Sequence, residues 1–153
     1  MQAANNLLKE LGRLVGLETL ALDEAGQCTL AFDETIVLTF VADPDDGLNV
    51  VSYVGELEAG NPAAARALLA RNFMPGGLGG GRVAMEPDSP RVVLVNRWDG
   101  VRTDFGMFQS QLEDFVNAVE TVRAELASGS ADAGATGVES NPRVEVPPPG
   151  SYA

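Results

Sequence analysis

Seven bulky apolar residues, Phe105, Phe108, Leu112, Phe115, Val119, Val122 and Leu126, follow one another at intervals of 3, 4, 3, 4, 3 and 4. A strand turns its side chains over every second residue and cannot use this spacing, whereas a 3.6-residue helix sets all seven along one stripe. Acids and glutamines fall on the far side. A sustained heptad also describes a coiled coil. This run is short and rich in Phe, so the expected use is packing across a sheet.

The rest of the chain supplies that sheet. Leu7, Leu8, Leu11, Leu14 and Val15 form a second helical stripe with Lys9, Glu10 and Arg13 opposite, and Gly16 suits the left-handed residue that closes a helix. Segments Leu17–Leu22, Gln27–Phe32 and Thr35–Val41 read as strands, separated by Asp23-Glu24-Ala25-Gly26 and Asp33-Glu34. Gln27–Phe32 alternates, with Cys28, Leu30 and Phe32 on one side, whereas Thr35–Val41 is apolar on both faces, as an interior or doubly covered strand is. After the Asp43–Gly47 turn comes a fourth strand, Leu48–Leu57. Asn61-Pro62 opens another helix, with Asn as N-cap and Pro where its missing N–H costs nothing. Strands Arg82–Glu86 and Arg91–Trp98 precede the Phe-rich helix. The expected fold is α+β, a curved, mainly antiparallel sheet with helices packed on it, in the order α-β-β-β-β-α-β-β-α. Residues 1–126 form the domain. Residues 127–153 turn to Ser, Gly, Ala and Pro and read as a flexible tail, in which Val144-Glu145-Val146 is the stretch suited to docking.

Composition removes whole classes of function. The 153 residues contain no histidine and one cysteine, so Ser-His and Cys-His catalysis, cysteine-cluster zinc sites and an internal disulfide framework are excluded. Acidic residues number 22 against 10 basic, for a net charge of −12, and the arginines are scattered singly. Such a field repels phosphate backbones and anionic lipid, so neither nucleic acid nor membrane is an expected partner. No basic flank precedes an apolar run at the N-terminus, and no stretch approaches the ~18 apolar residues that span a bilayer. A cytoplasmic domain is expected.

Tested motifs fail. Gly76 and Gly81 have P-loop spacing, but Arg82-Val83 follows in place of Lys-Ser/Thr, and the loop leaves a helix for a strand. It reads as a flexible connection. Counting a calcium loop from Asp43 puts Leu48 and Val54 where Gly and Glu are required. Asp23-Glu24 and Asp33-Glu34 lie in turns, where no burial raises a pKa for acid–base work. Cys28 has no cationic neighbour in sequence and reads as a small buried hydrophobe. No catalytic residue, metal or cofactor is expected.

Three strings, in this order and on a chain of this size and acidity, resemble the class I chaperones of bacterial type III secretion, the Tir chaperone family. They are Leu7-Leu8-Lys9-Glu10-Leu11-Gly12 leading into Leu20-Ala21-Leu22-Asp23-Glu24-Ala25-Gly26-Gln27-Cys28-Thr29-Leu30; Leu68-Leu69-Ala70-Arg71-Asn72-Phe73 running into the glycines; and Leu112-Glu113-Asp114-Phe115-Val116. The resemblance implies a non-enzymatic bacterial homodimer serving virulence. It would bind the N-terminal segment of a secreted effector in an extended, non-globular state, keep it export-competent, and present it to the export apparatus and its ATPase. The implied effector-binding residues are Leu7, Leu11, Leu14, Leu30, Phe32, Ile36 and Leu38, half or more of them also needed as core. The implied dimer interface is Ala64, Ala65, Leu68, Leu69, Phe73, Val93, Val95 and Trp98. The Pro-rich C-terminal extension departs from the family pattern. Two other functions fit the same composition: an acidic immunity-type inhibitor that masks a basic toxin, and a regulatory protein on the same fold. A carboxylate-based hydrolase would need paired acids in a concave site.

Overall fold

The structure is a computed structural model, and it describes residues 1–129 apart from Ala59 and Pro75. Its elements run α1 (Gln2–Val15), β1 (Gln27–Phe32), β2 (Ile36–Ala42), β3 (Gly47–Glu56), α2 (Pro62–Arg71), β4 (Arg82–Met85), β5 (Arg91–Asp99) and α3 (Phe105–Ala127). The five strands form one antiparallel sheet in the order β1-β2-β3-β5-β4. Strands β1 to β3 are a meander joined by tight turns. The passage through α2 then carries the chain to the far edge, so β5 lies beside β3 and β4 lies outermost.

The α+β class and the antiparallel sheet are as expected, with one strand fewer. Residues Leu17–Leu22 are not a strand. Their backbone is claimed by α1: Leu17 N–H donates to the Gly12 carbonyl at 2.7 Å, and Leu22 N–H donates to Asn5 Oδ1 at 3.0 Å. Gly12 is required there, because a Cβ on it would lie 2.4 Å from the Leu17 carbonyl oxygen. Leu20 is buried while Leu17 and Thr19 are exposed. A strip packed on a helix can therefore imitate the alternation of a strand.

One face of the sheet is buried. Leu30, Leu38, Phe40, Leu48, Val50, Leu94 and Trp98 meet the stripe of α3 and Leu7, Leu8 and Leu11 of α1 in a single core. The α3 stripe is used across the sheet and not in a coiled coil, with Phe108 and Phe115 set edge-on to Trp98 at 5.0 and 6.4 Å between ring centroids. The opposite face carries Val37, Tyr53 and Val95, and among the described residues no helix of the core covers it, so there β2 is interior but covered on one side only. Asn61 caps α2 as expected, accepting from Ala64 N–H at 3.1 Å. The glycine connection after α2 is pinned, contrary to its flexible appearance. Leu78 is fully buried, and Gly79, at φ +55°, lies so close to α3 that a Cβ would meet the Asp114 carbonyl oxygen at 2.5 Å. Helix α3 ends at Ala127, and the rest of the expected tail, with Val144-Glu145-Val146, lies outside the described residues.

Candidate functional site

The apolar stripe of α1 outruns the core. Leu7, Leu8 and Leu11 are buried, but one turn later Leu14 is 56% exposed and Val15 42%. With Leu11, they form one wall of a groove of about 450 Å³ whose other walls are half-buried Phe32, at the end of β1, and Leu112 and Val116 of α3. Gln109, Glu113 and Asn117 form its polar rim. Leaving such a strip uncovered forgoes stabilisation of about 1.5–3 kcal/mol per large aliphatic side chain. Contiguous surfaces of this kind mark sites of association.

A second depression, of about 610 Å³, runs between β1 and the Leu17–Leu22 strip. Gly26 and Ala42 are bonded across β1–β2, so the alternation of an antiparallel ladder turns the backbone groups of Gln27, Thr29 and Ala31 outward. Those of Gln27 are taken by Asp23, whose N–H donates to its carbonyl and whose carboxylate accepts from its N–H. Among the described residues, no hydrogen bond joins the outward groups of Thr29 or Ala31 to the strip. The strip is tied to α1, and an open strand edge lies beside it. Cys28 lines this depression half-buried, and desolvation raises its thiol pKa above the ordinary value.

Of the residues the sequence nominated for effector contact, only Leu14 and Phe32 reach this surface as exposed or half-buried groups. Leu7, Leu11, Leu30, Ile36 and Leu38 are core residues between 0 and 6% exposed, because the sheet face of Leu30, Ile36 and Leu38 is covered by α3 and by the α1 stripe to which Leu7 and Leu11 belong. Val15 and Val116 line the groove and Leu17 the depression beside β1, and the run Leu14-Val15-Gly16-Leu17 is the sequence sign of apolar surface past the helix end. The nominated dimer residues divide likewise. Ala64, Leu68, Val93 and Trp98 are buried within the protomer, Ala65 and Val95 are half-buried, and Leu69 and Phe73 are 68% and 85% exposed. Met74 and Met85 add exposed apolar surface near these two.

A third concavity, of about 720 Å³, lies between α3 and the glycine connection. Its lining is largely polar, including Arg71, Asn96, Arg97, Gln111 and Asn117, and gives no continuous apolar track. Arg71 is engaged by Glu125 and Arg97 by Asp43. Among the described residues there is no cluster of three or more side chains suited to a metal, and no helix is long and apolar enough to cross a membrane.

An open strand edge beside an uncovered apolar groove offers surface for association, and comparison with known proteins gives the family. The model of the Tir chaperone protein (CesT) family matches residues 6–123, and the chain belongs to that family. No curated protein sequence matches it significantly. Among solved structures, a chain of the ExsC–ExsE complex superposes with a TM-score of 0.68 at 22% identity, covering 80% of this chain and 92% of that one. The Yersinia pestis type III secretion chaperone SycH, in complex with a stable fragment of YscM2, gives 0.62 at 21%, covering 78% and 98%. The HopA1–SchA chaperone–effector complex gives 0.64 at 14%, covering 80% and 94%. These likenesses establish the shared fold.

Proposed function

We propose that this chain is a non-enzymatic, cytoplasmic chaperone of a type III secretion system, which holds the N-terminal segment of a secreted effector extended and export-competent. One observation carries the reading: the α1 stripe continues past the core into a groove at Leu14, Val15, Phe32 and Val116, beside the open edge of β1. An unfolded segment loses conformational entropy on capture, so its holder must offer apolar area together with backbone hydrogen bonds. The groove and the edge offer one each. A net charge of −12 keeps such a particle soluble and speeds its encounter with basic partners.

Homodimerisation belongs to the same reading. Leu69, in the last turn of α2, and Phe73, just past its end, present with Met74 and Met85 apolar surface that the described protomer leaves bare. A second copy covers it and doubles the guest-binding surface, and handover to the export ATPase follows capture. Masking of a basic toxin by charge is the competing reading, and ionic strength separates the two: apolar capture persists in high salt, whereas charge masking weakens steeply.

The test is co-expression pull-down with mass spectrometry, followed by limited proteolysis of the captured complex. Proteolysis should leave a protected N-terminal stretch of the partner. Leu14→Asp with Val15→Asp should abolish capture without lowering the melting temperature of the chaperone, because both side chains are exposed and outside the core. A partner bound through a folded domain, or capture indifferent to both substitutions, would overturn the proposal.

A further inference from the structure

The sheet has two edges, and they are finished differently. Strand β4 is outermost on the far side, only four residues long, and pairs with β5 through Arg82↔Val95, Val83↔Leu94, Ala84↔Val93 and Met85↔Val92. Glu86 N–H donates to the Arg91 carbonyl, which fixes the alternation and turns the backbone of Gly81, Val83 and Met85 outward. At the middle position one side chain occupies both groups. Val83 N–H donates to Asn72 Oδ1 at 2.8 Å, and Asn72 Nδ2 donates to the Val83 carbonyl at 3.1 Å. A carboxamide offers the same donor and acceptor as a peptide group, so Asn72 sits where the backbone of an added strand would sit. The neighbouring outward N–H, that of Gly81, is used as well, donating to the Leu78 carbonyl at 2.8 Å.

An uncapped sheet edge is a template for any extended chain, and proteins that keep one open for use must close the other. We infer that Asn72 is the residue that closes the β4 edge, so that strand addition is confined to β1. The inference builds on the proposal that β1 receives the guest, and it gives α2 a second task besides its exposed Leu69 and Phe73. Asn72, the C-cap of α2, bolts the end of the helix to the edge it guards. The carboxamide matters here: Asp keeps the acceptor for Val83 N–H but sets a carboxylate oxygen against the Val83 carbonyl, and Ala removes both bonds.

The test uses the full chain alone, so its outcome is independent of any guest at β1. In Asn72→Ala the Val83 amide should exchange with solvent roughly tenfold faster or more, as the loss of two hydrogen bonds at one position implies. Light scattering should show concentration-dependent assemblies larger than the wild-type particle. Adding Met85→Pro, which removes an outward N–H without breaking the ladder to β5, should bring the mass down to that of Met85→Pro alone, the control for the apolar surface Met85 also lends. Should Asn72→Ala fold poorly, Asn72→Gly, which also removes both bonds and suits the end of a helix, provides the same two readouts. Unchanged Val83 protection would overturn the inference. So would fast exchange with the wild-type mass at every concentration, or assemblies that persist in the Pro variant.

Discussion

The proposed dimer seam has a perturbation whose size can be worked out. Leu69 and Phe73 are 68% and 85% exposed in the protomer, so most of their burial free energy is still to be gained. At about 1.5–3 kcal/mol for a fully buried large apolar side chain, and with each residue counted in both copies, the pair contributes on the order of 6 kcal/mol to association. A micromolar dimer is held by about 8 kcal/mol. Leu69→Asp with Phe73→Asp removes most of that and sets four carboxylates in the seam, so dissociation should pass beyond the millimolar range. The same change costs the protomer little, because neither side chain belongs to the core, and exposed substitutions of this kind stay within about 0.5 kcal/mol. Leu68→Asp is the contrasting control. Leu68 is 5% exposed and packs in the core, so a charge there should unfold the protomer. Size-exclusion chromatography with light scattering between 1 and ~100 μM reads the mass, and thermal unfolding reads the protomer. A double variant that keeps the wild-type mass at micromolar concentration, with an unchanged melting curve, refutes the placement of the seam.

Other expectations concern the fold. Gly12→Ala gains about 1 kcal/mol of helix propensity but drives a Cβ to 2.4 Å from the Leu17 carbonyl oxygen, so a net loss of about 1–3 kcal/mol is expected in denaturant unfolding. Asp43 is held below its ordinary pKa by the hydrogen bond from Arg97, and Asp33 by the N–H and hydroxyl of Thr35. Below about pH 4 the unfolded carboxylates bind protons before the folded ones do, so this stability, complete at neutral pH, is lost as pH falls toward the folded values. Asp43→Asn should make the acid limb of a melting-temperature profile shallower. The Cys28 thiol should react with iodoacetamide more slowly at neutral pH than an exposed cysteine and recover at alkaline pH. Deleting the chain after Gly129 should leave both melting temperature and the number of copies in the particle unchanged, and a marked fall in either would show that the deleted residues dock.

Much of this architecture is written in local pattern. The α3 stripe, the Asn61-Pro62 start, the Gly16 stop (φ +76°) and the turn at Asp43–Gly47 all depend on neighbours a few residues apart, and each appears where its pattern places it. Leu17–Leu22 failed because its alternation is produced by Leu20 entering the core while the backbone is held by Gly12 and Asn5, an arrangement no local pattern records. The site was half legible for a similar reason. Leu30, Ile36 and Leu38 are as apolar as Phe32, and only the path of α3 over the sheet decides that they are covered and Phe32 is not. Asn72 looks like any polar residue at the end of a helix. Its part at the sheet edge exists only once α2 and β4 are side by side.

The fastening of the Leu17–Leu22 strip to α1 has a kinetic consequence. Because, among the described residues, the trench beside β1 already stands open, arrival of the proposed guest should require no prior rearrangement of the host. Association should then follow simple second-order behaviour, its observed rate rising in proportion to partner concentration without levelling off. Shortening that rate with added salt, while leaving departure slow, would be the mark of a receptor that waits ready-made and draws its cargo in by charge.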